Sequence, residues 1–149
     1  MSKIVNLAYI GDVRSLTAKG KQIAFVTEHI ESKPTSIYVI DGESNKLTSV
    51  ALPCGGLSVC KLDDQFWVGG TDGKLYSATG KDKSATEVKA KLPSPATTIV
   101  SIDETSLACI CGGHVLVLDA KGKTKLSLEF ESEGEPVNPT CIGASADGI

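Results

Sequence analysis

The sequence predicts an all-β fold built from a repeated unit of short antiparallel strands, on three observations. Similar apolar positions recur about every 42 residues along the 149-residue chain. No stretch of ten residues carries apolar side chains at the 3.6-residue spacing of a helix. Short apolar runs are separated by turn signals such as "DGES", "TGKD" and "DAKGK". The length is enough for one domain that buries a core.

Each repeat begins with two apolar runs. The second run of each repeat aligns at Ile23, Phe66, Leu107 and Ile149. Seven positions earlier, the first run aligns at Leu16, Val59, Val100 and Ile142. Third runs ("SIYVID", "KLYSAT", "HVLVLD") and fourth runs ("NKLTSVALP", "ATEVKAKLP", "TKLSLEFES") follow. Four strands in a unit of this size are typical of a β-propeller blade. The nearly solid apolar second runs suit a blade that is buried on both faces.

The repeat divides residues 1–149 into about three complete blades plus an extra strand at each end. An incomplete propeller of this kind needs the rest of its ring from the same longer chain or from a complementary chain. Two copies of this chain alone would leave junctions that lack the two middle strands, so the other sources are preferred. The predicted boundaries are a closing strand at 1–10, blade 1 at 13–53, blade 2 at 56–93, blade 3 at 97–132 and the start of blade 4 at 138–149.

The repeats resemble the WD40 family. The position of the family's Trp-Asp dipeptide, at the end of the third strand, falls on Ile40-Asp41, Ala78-Thr79 and Leu118-Asp119, so two of the three repeats keep the Asp. The resemblance implies a non-catalytic scaffold for protein–protein interaction. It also implies that the loops after the second and fourth strands share one face of the disc.

The "GGTDG" stretch at 69–73 could be a phosphate-binding loop or a tight turn. A phosphate loop of the Walker type needs Lys and then Ser or Thr after its last Gly, and a helix behind them. Here Lys74, Leu75 and Tyr76 follow Gly73, and the flanking residues are large and β-prone. The sequence therefore predicts a hairpin turn.

Candidate chemical groups were weighed against packing roles. Cys109, Cys111 and His114 lie within six residues, but structural zinc needs four ligands at other spacings, so buried thiols are predicted. Trp67 is predicted in the core rather than in a ligand platform, and His29 on an exposed loop. No paired carboxylates or nucleophile–base arrangement emerges. We therefore expect no catalytic residue, no metal, no cofactor and no enzymatic activity.

The overall charge excludes one class of partner. A net charge of −3 indicates no basic surface for binding nucleic acid, and carboxylates interrupt the lysines at 81–91. The most apolar run, residues 107–118, is too short to span a bilayer and "MSKIVNLAYIGD" is no signal peptide. Five cysteines without an export signal indicate free thiols, so we expect a cytoplasmic protein.

A rim of loops is the predicted binding surface. It comprises residues 28–36, 53–56, 71–73, 93–96 and 131–139, and its two long loops carry Glu28, Glu31, Glu131, Glu133 and Glu135. An acidic rim would steer a basic protein or peptide. The alternative is that these carboxylates serve only solubility. The alternative function is a hydrolase or a small-ligand propeller whose site residues lie largely outside this chain.

Overall fold

Three four-stranded antiparallel sheets, each formed by one continuous stretch of chain, make up most of the protein. The computed structural model describes residues 12–27 and 35–144. Regular structure within these ranges is entirely β, and they hold no helix long and apolar enough to cross a membrane. Strand order in each sheet follows chain order, as in a propeller blade. The prediction of an all-β, incomplete propeller of four-stranded blades is confirmed.

Blade 1 contains many β-branched and aromatic residues, which favour strands. The two-residue turn between its first two strands is closed with Gly20 at a φ of 63°. Its four strands are β1 (Val13–Lys19), β2 (Gln22–Thr27), β3 (Thr35–Asp41) and β4 (Leu47–Leu52).

Blade 2 contains the "GGTDG" stretch, which forms a hairpin. The backbone N–H of Gly70 donates to the carbonyl of Lys74 at 2.8 Å, and Gly73 has a φ of 83°. A strand follows the turn, so the hairpin prediction is confirmed and the phosphate loop is excluded. The strands are β5 (Gly56–Leu62), β6 (Gln65–Gly70), β7 (Leu75–Ala78) and β8 (Thr86–Val88).

Blade 3 has a longer first turn, and this corrects the sequence alignment by one residue. Four residues, 102–105, separate its first two strands, where the other blades have two. Ile99 pairs with Cys109 as Val59 pairs with Val68, so Ile99 and not Val100 is the equivalent of Val59. The strands are β9 (Ala96–Ser101), β10 (Ser106–Cys111), β11 (His114–Asp119) and β12 (Thr124–Glu129).

The chain beyond blade 3 forms a small hairpin of β13 (Glu131–Ser132) and β14 (Glu135–Pro136). Residues 138–144 are in no strand, and the rest of the predicted fourth-blade start, 145–149, lies outside the described residues. The predicted closing strand at 1–10 also lies outside them.

A carboxylate closes the turn after the third strand of each blade. Asp41 Oδ1 accepts the backbone N–H of Ser44 at 2.7 Å. Asp119 Oδ1 accepts two N–H groups of its own turn at 2.8 and 3.0 Å. Backbone hydrogen bonds of this kind hold the pKa of both carboxyls below the ordinary range. In blade 2, where Thr79 stands at this position, Asp82 supplies the carboxylate to the Thr79 N–H at 2.7 Å.

The hydrophobic core lies between blades. One buried cluster fills the space between blades 1 and 2, with Val26, Ile37 and Val50 of blade 1 against Phe66 and Val68 of blade 2. A second cluster fills the space between blades 2 and 3, and it includes Trp67, Leu107 and Cys109. The first strands β1, β5 and β9 run side by side at the inner edge.

A hydroxyl group links each inner strand to the next. Ser15 Oγ accepts the backbone N–H of Val59 at 3.1 Å, and Ser58 Oγ accepts that of Ile99 at 2.9 Å. Each serine follows a β-bulge in its strand. Because an inner strand has one edge without a sheet partner, these hydroxyls satisfy N–H groups that the sheets leave open.

We predict that Ser58→Ala lowers the free energy of unfolding by about 1–3 kcal/mol, because it leaves the buried N–H of Ile99 without an acceptor. Urea denaturation measures the change. Ser127→Ala, an exposed serine on β12, is the control and should be within about 0.5 kcal/mol of the wild type. Equal stabilities for the two variants would contradict the role of the hydroxyl.

We also predict that Gly69→Ala is destabilising by about 1–3 kcal/mol, because its methyl group would meet the carbonyl oxygen of Ala96 in the next blade. Gly143→Ala, where nothing lies within 4 Å of the added carbon, is the matched control. The thermal unfolding midpoints of the two variants and the wild type are compared. A Gly69→Ala protein as stable as the control would show that the two blades are not packed this closely.

Candidate functional site

The two ends of each blade differ in their connections. Because the strands are antiparallel, the segments after second and fourth strands lie at one end, here called the loop end. The segments after first and third strands lie at the other, the turn end. At the loop end the Thr71 N–H donates to the Gly55 carbonyl at 2.9 Å, and Thr35 Oγ1 donates to the Cys54 carbonyl at 2.6 Å. The loop end is therefore one connected surface across blades 1 and 2.

The same surface continues over blade 3. A carbon added at Gly112 would lie 2.9 Å from Ser94 Oγ, and one added at Gly113 would lie 3.3 Å from Asn138 Oδ1. Close approach at these two glycines brings the 89–95 and 130–138 segments against the turn between β10 and β11. The loops around these contacts thus lie at one end of the blades.

The β13–β14 hairpin holds three of the five predicted partner-binding residues. Glu133 and Gly134 both have positive φ, 55° and 83°, which suits a tight two-residue turn. Glu131 pairs with Pro136, and Ser132 pairs with Glu135, so Glu131 and Glu135 lie at neighbouring positions of the ladder. All three glutamates are exposed, and no ion pair involves them within the described residues.

The other two predicted residues, Glu28 and Glu31, lie outside the described residues, as does His29. The structure therefore brings together Glu131, Glu133 and Glu135 alone.

Sequence reasoning missed Glu129, which extends the acidic stretch. Its Oε1 lies 3.0 Å from His114 Nε2, and its side chain is 72% exposed. The signal was present, because Glu129 and Glu131 are two apart at the end of a strand-like run. The carboxylates on residues 129–135 form what is here called the acidic hairpin. This hairpin is the part of the predicted acidic rim that the described residues show.

A second polar group at the loop end centres on Asp72. Its Oδ2 accepts the hydroxyl of Tyr76 at 2.6 Å, and its Oδ1 accepts the N–H of Lys74 at 3.1 Å. Partial burial raises the pKa of Asp72, but hydrogen bonds from Tyr76, Lys74 and Cys54 outweigh it and the pKa is lowered. Burial, and then the bond to Asp72, raises the pKa of Tyr76. This group fixes the turn and leaves no free base.

A cleft of about 410 Å³ opens at the turn end between blades 1 and 2. Lys46, Lys61 and Lys81 line it with Asp41 and Asp64. Lys61 Nζ donates to an oxygen of a neighbouring glutamine at 2.8 Å. Three lysines and two aspartates are among the described lining residues, so the lining has a small excess of positive charge. The cleft can accept a small anionic group.

Of the candidate chemical groups in the sequence, Trp67, Cys109 and Cys111 lie in the core, and His114 is half-buried at its edge. Trp67 is 2% exposed in the cluster between blades 2 and 3, which confirms the packing role. Cys109 and Cys111 are fully buried in the same cluster, with their Sγ atoms 3.6 Å apart, as predicted for two residues on one strand face. His114 begins β11 and contacts Glu129 instead. No group of three metal-ligating side chains occurs in residues 12–27 and 35–144.

No family model and no curated protein sequence matches the chain. It is similar to many solved structures. The computationally designed Ika4 protein has a TM-score of 0.64 and 13% identity over 100% of this chain and 96% of that one. Of the three longer structures that follow, the chain spans less than half. One is BamB from Moraxella catarrhalis, with a TM-score of 0.60 and 13% identity over 80% of this chain and 38% of that one. The WD40 β-propeller domain of Doa1 has a TM-score of 0.62 and 15% identity over 80% of this chain and 41% of that one. Hydrazine synthase of Kuenenia stuttgartiensis has a TM-score of 0.69 and 14% identity over 98% of this chain and 44% of that one. At these identities the similarity shows a propeller-type fold and nothing more specific.

We predict that Tyr76→Phe raises the pKa of Asp72 towards its ordinary value and lowers the free energy of unfolding by about 1 kcal/mol at neutral pH. Because the folded pKa is depressed, the wild type's advantage is complete above the ordinary value of 3.8 and is lost as the pH falls through the folded pKa. Denaturation at about pH 6 and about pH 2.5 tests this.

The matched control is Tyr38→Phe. Tyr38 has the equivalent position in blade 1 and stacks on Phe25 at 5.3 Å between ring centroids. The Tyr38 hydroxyl makes no hydrogen bond in the described residues. Any change in the free energy of unfolding caused by Tyr38→Phe should therefore be the same at both pH values. A pH-independent effect in both variants would rule out the Tyr76–Asp72 bond as the cause.

Proposed function

We propose that this chain is a non-catalytic interaction module that docks a basic protein segment on the acidic hairpin at its loop end. The observation that carries the proposal is the set of exposed carboxylates at Glu131, Glu133 and Glu135, on a structured turn and without ion-pair partners in the described chain. A propeller-type fold hosts many functions, so the choice rests on this surface and not on the fold.

The charge of the hairpin suits a lysine- or arginine-rich segment. Exposed carboxylates stay hydrated, so each contact contributes little alone, and several together give steering and specificity. The short β-ladder fixes the backbone at Glu131 and Glu135, which reduces the backbone entropy lost on binding. Binding of this kind weakens as salt screens the charges.

The proposal includes the WD40-like character of the repeats and a reducing compartment such as the cytoplasm. Asp41 and Asp119 at the ends of third strands support the first. The free thiols of Cys54, Cys60 and Cys141, with the two in the core, support the second.

The alternative of a small-ligand or hydrolytic propeller draws support from the lysine-lined cleft at the turn end. The described residues that line this cleft include no histidine and no cysteine, which favours binding over catalysis. It lies at the opposite end of the blades from the acidic hairpin. Variants at the two ends can therefore separate the two functions.

We predict that reversing the charge of Glu131, Glu133 and Glu135 to Lys weakens binding of a lysine- and arginine-rich peptide at least about tenfold at low salt. The wild-type affinity should fall strongly between about 50 and about 500 mM salt, and the reversed variant should lose this dependence. Fluorescence anisotropy of a labelled peptide gives both measurements.

The matched control makes the same change in net charge at the turn end. Its three substitutions are Glu43→Lys, Asp64→Lys and Glu104→Lys, all at exposed positions. It should bind the peptide within about threefold of the wild type. Equal losses in both variants would mean that only net charge matters and would remove the hairpin as the docking site.

A further inference from the structure

Four lysine side chains from two blades line one groove on the outer side of the junction between blades 2 and 3. Lys89 and Lys91 follow β8, whereas Lys121 and Lys123 belong to the turn between β11 and β12. The groove, here called the outer groove, has a volume of about 350 Å³, which lies within the usual range for small-molecule sites. Its described lining residues include no carboxylate, so it concentrates positive charge on a chain whose net charge is −3.

The backbone on both sides of the outer groove is held by packing between the two blades. Gly122 is buried, and a carbon added to it would lie 2.6 Å from Val88 Cγ1 and 3.3 Å from Ala90 Cβ. Val88 and Ala90 also pack against the buried cluster between blades 2 and 3. Gly122 has a φ of 82°, and the lysines at 121 and 123 flank it. The backbone of the site is therefore in place before any ligand binds.

The carboxylates on the elements beside the outer groove already have partners. Glu87 Oε2 lies 2.8 Å from Lys74 Nζ. Asp119 Oδ1 accepts two backbone N–H groups of its own turn. These backbone hydrogen bonds, and then the charges of Lys125 and Lys121, lower the pKa of Asp119, so this one carboxylate lies within electrostatic range of the groove. The four groove lysines make no side-chain hydrogen bond and no ion pair within the described residues, which leaves a clear excess of positive charge.

The charge and composition of the outer groove match a ligand with adjacent phosphate groups. Each phosphate group carries about 1.5 to 2 negative charges at neutral pH, so two of them bring about 3 to 4. Lysine binds phosphate as a point charge and needs no fixed bidentate geometry. Recognition of nucleic acid uses aromatic stacking and arginine as well, and neither residue type is among the described lining residues. The groove therefore favours a small oligophosphate over a nucleic acid.

We propose that the outer groove binds a small molecule that carries two or more adjacent phosphate groups. The lysines are exposed, so each ammonium group contributes little alone, and binding depends on several of them acting together. A ligand with a single phosphate brings about half the charge and should bind much more weakly. Binding should also weaken as salt screens the charges.

The outer groove is separate from the two surfaces described above. It shares no described residue with the acidic hairpin or with the cleft between blades 1 and 2. The proposal therefore does not rest on the proposed function, and either one can fail without the other. Along the sequence, carboxylates interrupt the lysines at 81–91, and only the fold adds the two lysines of the next blade to Lys89 and Lys91.

Calorimetric titration with inorganic pyrophosphate tests the proposal, with inorganic phosphate for comparison. At about 50 mM salt the wild type should bind pyrophosphate at least about tenfold more tightly than phosphate. The double variant Lys121→Gln, Lys123→Gln removes two of the four charges and should weaken pyrophosphate binding at least about tenfold. Both side chains are exposed, so the variant should fold, which the fluorescence of the buried Trp67 monitors.

The matched control is Lys46→Gln, Lys81→Gln, which removes the same net charge from the cleft between blades 1 and 2. Its affinity for pyrophosphate should be within about threefold of the wild type. Equal losses in both variants, a loss in the control alone, or a wild type that does not prefer pyrophosphate to phosphate would each overturn the proposal. Tighter binding of a single-stranded oligonucleotide or of phosphatidylserine vesicles, lost in the groove variant, would overturn it as well.

Discussion

A four-stranded blade with apolar side chains on both faces cannot be stable alone, and the rest of the structure depends on this constraint. Both clusters of buried residues lie between blades, and neither lies within one sheet. Each blade therefore gains its stability from its neighbours, as repeat proteins do. The second strands are solidly apolar for this reason. Every residue of β10 is buried, and Leu107, Cys109 and Cys111 are buried against blade 2.

Close packing between blades also explains where small residues and hydroxyls stand. Gly56 and Gly69 lie where the next strand leaves no room for a Cβ, against Val26 and Ala96. Ser15 and Ser58 stand where an inner strand would otherwise bury an N–H group without an acceptor. Packing and hydrogen bonding thus set the same distance between neighbouring blades. A substitution that changes the packing is therefore expected to alter these hydrogen bonds as well.

Most of the fold was predictable because strand periodicity and turn residues are local signals. The blades, the hairpin at 69–73 and the buried Trp67 follow from runs of a few residues. The alignment at Val100 was wrong because the longer turn at 102–105 shifts blade 3 by one position, and only the pairing of Ile99 with Cys109 reveals it. The sequence predicts a loop at 131–139, whereas the structure has the β13–β14 ladder there, because two-residue strands carry no periodicity. The lysine-lined cleft joins residues from two blades, which a local signal does not bring together.

Stability and recognition use different parts of each blade. The blade faces carry the buried apolar side chains, whose substitution changes folding, while the β13–β14 hairpin at the loop end carries exposed carboxylates that belong to neither cluster. The turns after the third strands are also separate from the buried clusters. Asp41 and Asp119 close their turns from the strand end, whereas Asp82 does so from within its turn, so the carboxylate is needed but its position is not fixed. A surface with such freedom can change its charge without disturbing the core. The proposed docking on the acidic hairpin, which its own two-strand ladder holds at the end of blade 3, would therefore leave the packing between blades unchanged.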